Sequence, residues 1–176
     1  MFKIGKVEIK KEVLPQCKGA QCGILPEHPF RSFIVGSSGS GKTNYLLSIL
    51  TRWYKDYFDK IYVFSMTQKE LDPAYNVLEL PDHHFFDTNM EALHLIMKIA
   101  EKDVKENGLL RSDKILVILD DFVSDRKFVN ALLKPSIMAR KYNISLYFCS
   151  YWIFNFLIYI RSYLCISCSF VIFYCR

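Results

Sequence analysis

The sequence predicts an α/β domain, with a mainly parallel central sheet and helices on both faces. Three observations carry this. Short apolar, β-branched runs alternate with stretches of helical period, the order that builds a parallel sheet. One run, Phe33-Ile34-Val35, passes directly into a glycine-rich loop and then an amphipathic stretch. Another, Ile115 to Leu119, is continuously apolar, as strands buried on both faces are, and it ends in two carboxylates.

The glycine-rich loop, residues 36–43, reads GSSGSGKT and matches G-x-x-x-x-G-K-[ST]. Gly36, Gly39 and Gly41 are expected to take positive φ and to approach a phosphate without a Cβ in the way. The amides of such a loop converge on an anion, and the helix that follows aims its positive end at it. Lys42 supplies a point charge for the β- and γ-phosphates, and the Thr43 hydroxyl is placed to ligate Mg²⁺. The expected nucleotide-binding set is Gly36, Ser37, Ser38, Gly39, Ser40, Gly41, Lys42, Thr43 and Asn44, with ATP and Mg²⁺ as cofactors. A Ser/Gly linker would also read this way, but linkers are not flanked by a strand and an amphipathic helix. The fold expected is therefore a P-loop NTPase three-layer sandwich.

The other elements follow in chain order. KIGKVEIKKEV alternates apolar and charged residues, the pattern of a solvated edge strand, and Pro15, Pro26 and Pro29 punctuate a loop-rich lead-in over 1–27. After the loop, Tyr45, Leu46, Ile49, Leu50 and Trp53 recur at helical spacing. Lys60 to Ser65 reads as a second core strand, followed by a polar stretch containing Pro73 and Pro81. Thr88 or Asn89 is placed to cap a helix over Met90 to Lys105 with Leu93, Ile96, Met97 and Ala100 on its apolar face, and Asn107-Gly108 to end it. Asp125 opens a helix carrying Phe128, Leu132 and Leu133, and Ile144 to Phe148 is a fourth strand.

The run ILVILDDF adds chemistry to the sheet. A parallel strand delivers its carboxyl end to the same sheet edge as the phosphate loop. Asp120 is thus expected to reach the Mg²⁺ shell, and Asp121 to orient or deprotonate the attacking water. A helix N-cap pair is the bland alternative. An acid directly after the metal-side Asp favours hydrolysis over transfer to a metabolite, and no Arg-dense lid is visible.

Composition bounds the partners. The chain of 176 residues is 51% hydrophobic and 23% charged with net charge +5, which permits contact with nucleic acid without demanding it. The amino terminus carries no signal-peptide pattern, so the six cysteines are read as free thiols and not as a disulfide scaffold. Cys17 with Cys22, and Cys165 with Cys168, lack convergent partners for zinc, and His83-His84 reads as a surface turn. Lys10, Lys11, Lys55, Lys60, Lys134 and Lys141 read mostly as solvated faces, open to DNA-phosphate contacts without sequence information.

The tail differs from the rest. No charge occurs over residues 142–160, and from Tyr147 onward there is no Lys, Asp or Glu. One reading is divergent packing around a final strand near 164–173. A second is a membrane segment, weakened by Asn143, Ser145, Ser150 and Asn155 and by the claim of the sheet on Ile144 to Phe148. A third is a truncated or frame-shifted end. The expected division is a lead-in over 1–27, a core over 28–150 and a divergent tail over 151–176.

Together, His28-Pro29-Phe30-Arg31 leading into FIVGSSGSGKTNYLLSIL, then KIYVFS, ILVILDDF and MARKYNISLYFCS, resemble the genome-packaging ATPases of large DNA viruses, the poxvirus-type branch of the FtsK–HerA superfamily. The resemblance covers about residues 28–150. It implies an additional-strand sheet in which Ile144 to Phe148 lies between the first and third strands. It also implies a homo-oligomeric ring, double-stranded DNA as substrate track, a capsid vertex or portal partner, and residence in the virion or the host-cytoplasmic viral factory. By motif match, Gly36 to Thr43 carry over as the nucleotide loop, Asp120 as the Mg²⁺ residue and Asp121 as the water-activating acid. Arg140 or Arg161 is a candidate for reaching a neighbouring subunit's γ-phosphate. Where relatives carry Ser/Thr-Gln after the fourth strand, this chain has Ser150-Tyr151. Tyr lacks the amide's paired donor and acceptor. The competing functions are a small-molecule P-loop kinase and a nucleotide-binding protein without turnover.

Overall fold

The computed structural model describes residues 25–65, 73–87, 89–120, 126–150 and 168–173, with backbone alone at 126–130, 133 and 168–173. The described strands are β1 (Arg31–Gly36), β2 (Lys60–Ser65), β3 (Phe85–Phe86), β4 (Ile115–Asp120), β5 (Ile144–Ser150) and β6 (Cys168–Phe173). The helices are α1 (Lys42–Arg52), α2 (Met90–Asn107) and α3 (Arg126–Met138). The sheet is six-stranded in the order β3-β2-β4-β5-β1-β6, and every pairing is parallel. β5 lies between β1 and β4, the order that the resemblance implies.

Parallel strands carry helices on both faces, so alternate residues of each strand feed two separate cores. On one face Phe33, Phe64, Val117 and Phe148 pack with Leu93, Ile96 and Met97 of α2 and with Leu132 of α3. On the other, Ile34, Val63, Ile118 and Tyr147 pack with Leu46, Leu47 and Leu50 of α1. Three layers result. β4 is buried at all six positions, which explains its unbroken apolar run.

Several elements differ from expectation in extent. Leu47, not Tyr45 or Trp53, joins Leu46, Ile49 and Leu50 on the buried side of α1. α2 runs to Asn107, two residues beyond the expected end. Asn89 caps it, its Oδ1 accepting from the amides of Glu91 and Ala92 at 2.9 and 3.2 Å, and Gly108 follows at φ 76. α3 continues through Pro135 to Met138. The Phe85-Phe86 strand was hidden because two residues carry no period. β6 falls within the range expected for a final strand and extends the sheet beyond β1. The amino-terminal edge strand, Thr88, Asp121, Asp125 and residues 151–167 lie outside the described residues. Among the described residues, no helix is long and apolar enough to cross a membrane.

The segment before β1 is tied to the start of β5 by a polar network. The Phe30 amide donates to Ser145 Oγ at 3.1 Å, and Ser145 Oγ lies 2.6 Å from His28 Nδ1. His28 Nε2 lies 2.8 Å from Asn143 Oδ1, while Asn143 Nδ2 donates to the carbonyls of Ser112 and Asp113. The consistent pattern is a neutral ring with its proton on Nε2 and Nδ1 accepting from Ser145. Burial holds the His28 pKa down at about 4, against an ordinary 6.5, although its bond to Asn143 works the other way. In the unfolded chain the ring takes a proton below about 6.5, so His28 contributes stability above that pH and loses it as pH falls towards 4. The stability gap between the wild type and His28→Gln should therefore narrow by about 2 kcal/mol from pH 7 to pH 4, with the ring's partial solvent contact allowed for. Urea midpoints at the two pH values check this.

Candidate functional site

Parallel strands place their carboxyl ends on one rim. The register aligns Ser65 with Asp120 and Asp120 with Cys149, while Val35 lies beside Ser150. β1 ends at Gly36, so the loop 36–41 leaves from this rim and returns into α1 at Lys42. Gly39 and Gly41 take φ of 72 and 87, the left-handed region, and neither position is crowded. Backbone conformation, not space, selects glycine there. Gly36 is a correction: it ends β1 and is not among the positive-φ glycines, so its role is continuity with the strand.

Gly41 is the N-cap of α1, without a side-chain cap, and no acidic residue occupies the first turn. The positive end of the helix and the unpaired amides of a first turn thus face the loop. Lys42 is buried to 7% exposure, and its Nζ donates to the Ser37 carbonyl at 3.1 Å. Among the described residues no carboxylate lies within ion-pairing distance of it. A buried cation held only by a neutral carbonyl is costly unless an anion completes it. Ser40 Oγ, also in the loop, is buried without a hydrogen-bond partner among the described residues. Both observations fit a phosphate.

Across the rim, Thr43 Oγ1 donates to Asp120 Oδ2 at 3.1 Å, joining α1 to the end of β4. Asp120 is 3% exposed. One hydroxyl with free lone pairs beside one carboxylate is an all-oxygen donor pair of the type that suits Mg²⁺. The same Oδ2 accepts a 2.6 Å hydrogen bond from the hydroxyl of Tyr75, in the 3₁₀ turn 73–78 after β2. Sequence reasoning missed Tyr75. A lone Tyr in a proline-bounded polar stretch carries no periodic or motif signal.

Other candidates fall elsewhere. Arg140 stands exposed in the 3₁₀ turn 139–142 that leads into β5, on the rim opposite the loop. One seven-residue strand, about 20 Å, separates it from its own site. Asp121, Tyr151 and Arg161 lie outside the described residues. His84 stacks obliquely on Tyr62 at 4.7 Å beside His83, and among the described residues no group of three metal-ligating side chains converges. Lys60 is held by Asp113 at 2.6 Å, whereas Lys55, Lys134 and Lys141 are exposed. His28, Asn143 and Ser145 also escaped notice as a unit. Two of the segments that carry the family resemblance, HPFR and RKYNIS, meet in that network on the rim away from the loop.

A parallel sheet between two helical layers, with this loop between β1 and α1 and an acid at the end of β4, defines a fold of the P-loop nucleoside-triphosphatase type. A family model described as "Poxvirus A32 protein" matches residues 21–169, and the chain belongs to that family. It is 29% identical over 127 residues to the DNA packaging protein OPG160 of Monkeypox virus, covering 69% of this chain and 41% of the relative. It is 28% identical to the proteins of that name from Variola virus and Vaccinia virus (strain Copenhagen), covering 69% of this chain and 46% of each. The chain thus spans less than half the length of these relatives. Among solved structures, the cytoplasmic domain of EssC is similar at 19% identity and a TM-score of 0.49, over 82% of this chain and 31% of that one. The cytoplasmic domain of the Thermomonospora curvata type VII secretion ATPase EccC is similar at 16% identity and a TM-score of 0.44, over 70% of this chain and 16% of that one.

Proposed function

We propose that this chain is an ATP-hydrolysing motor subunit that packages double-stranded viral DNA. The observation that carries the nucleotide reading is Lys42, a buried ammonium on the phosphate-loop rim with no carboxylate partner among the described residues. The packaging reading is supported by the family and by the printed names of its relatives.

In this reading the amides of residues 37–44 hold the phosphate chain, and Lys42 lies along the β- and γ-phosphate oxygens. Thr43 and Asp120 are the residues that would hold Mg²⁺. When bound there, Mg²⁺ supplies positive charge against the phosphate oxygens. Asp121 accepts a proton from water as the water oxygen bonds to the γ-phosphorus and the bond to the bridging oxygen of ADP breaks. An Arg140 or Arg161 supplied by a neighbour in a ring would add charge at the γ-phosphate. A capsid vertex or portal component is the docking partner, in the virion or the host-cytoplasmic viral factory.

Duplex DNA should raise the steady-state ATPase rate of the purified chain at low salt. The increment should shrink as salt rises, because phosphate contacts release counterions. A rate indifferent to DNA would reject the motor. Phosphate transfer from ATP to a nucleoside would instead favour a kinase.

A further inference from the structure

We propose that Tyr75 is a positioning residue for the divalent cation that accompanies the nucleotide, a step that rests on the nucleotide-binding reading above. Asp120 Oδ2 receives two hydroxyl donors from separate segments, Thr43 at 3.1 Å and Tyr75 at 2.6 Å. Tyr75 is 2% exposed, and its ring sits in the same core cluster as α1, edge-on to Phe85 at 6.1 Å between centroids. A ring locked this way aims its hydroxyl with few degrees of freedom. A short hydrogen bond to a buried carboxylate is charge-assisted and stronger than a neutral one. It fixes the rotation of the Asp120 side chain whether or not Thr43 is engaged elsewhere.

This matters for the chemistry of Thr43. Its hydroxyl has one proton and two lone pairs, so it can donate to Asp120 while offering a lone pair to a cation. That double use requires Asp120 to stay in place, and Tyr75 holds it from the core side. Residues that orient the ligands of a metal govern its affinity, typically by 10- to 100-fold. A bond that served only to satisfy a buried hydroxyl would affect stability and leave cation affinity alone.

The test uses the full chain and a fluorescent, non-hydrolysable ATP analogue, with Mg²⁺ titrated into the nucleotide-bound protein. Tyr75→Phe keeps the ring and removes the hydroxyl. It should weaken Mg²⁺ affinity by about 10-fold and leave analogue binding without Mg²⁺ unchanged. Leu78→Ala, a packing change in the same 3₁₀ turn, should lower the urea midpoint without moving Mg²⁺ affinity. Unchanged or tighter Mg²⁺ binding in Tyr75→Phe overturns the proposal. On the wild type, Mg²⁺ should slow amide exchange across residues 73–78 in the nucleotide-bound state; exchange that does not change also overturns it. A wild type that takes up no analogue, with or without Mg²⁺, would defeat the nucleotide reading itself, and that result is read from the wild-type arm alone.

Discussion

Replacing Lys42 with alanine is expected to lower ATP turnover by about 100-fold or more while leaving the fold at least as stable. The two halves of this expectation share one cause. An ammonium that donates to a neutral carbonyl in a buried loop contributes little to folding and carries a desolvation cost. Its removal relieves that cost. On the proposed function the same charge would lie where negative charge is redistributed over the phosphoryl oxygens in the transition state, and in a dry site such a charge is worth several kcal/mol. Steady-state ATPase rates and urea midpoints measured on the same preparations separate the effects. Loss of turnover together with loss of fold would remove the functional meaning of the result. Retained turnover would show that Lys42 does not touch the phosphates.

Asp121→Asn should lower turnover by about 100- to 1,000-fold while nucleotide affinity stays within a few-fold of wild type. Asparagine keeps the size of the side chain but cannot accept a proton from water. Asp120→Asn is expected to behave differently. Asp120 pairs with Thr43 at 3.1 Å, and on the proposed function the two would hold Mg²⁺, so its loss should raise the Mg²⁺ requirement. Single-turnover hydrolysis beside equilibrium binding of an ATP analogue tells the two apart. If Asp121→Asn hydrolyses ATP at the wild-type rate, the acid that activates water is another residue.

The sheet was legible because each core strand had an unambiguous signal. Ile115 to Leu119 is apolar without a break, and β4 is buried throughout. The loop was legible because its glycines and Lys-Thr obey backbone and charge rules that few other contexts satisfy. Gly39 and Gly41 follow those rules, whereas Gly36 belongs to the strand and gains nothing from positive φ. Asn89 and Gly108 bounded α2 because caps depend on local geometry. Tyr75 and the His28 network were not legible, and for one reason. Each acquires its role from a partner far along the chain, Asp120 for Tyr75 and Asn143 for His28, and no spacing rule records such meetings. The place of β5 between β1 and β4 came from resemblance, since strand order is set by crossovers that periodicity does not encode.

Equilibrium titration of the full chain with a fluorescent ATP analogue is the most direct examination of the proposed phosphate-binding rim. Saturable binding is predicted, strengthened by Mg²⁺, displaced by unlabelled ATP and abolished in Lys42→Ala. A wild-type protein that unfolds cooperatively in urea, and so is folded, yet takes up no nucleotide would contradict the assignment of Lys42, Thr43 and Asp120 to a triphosphate site.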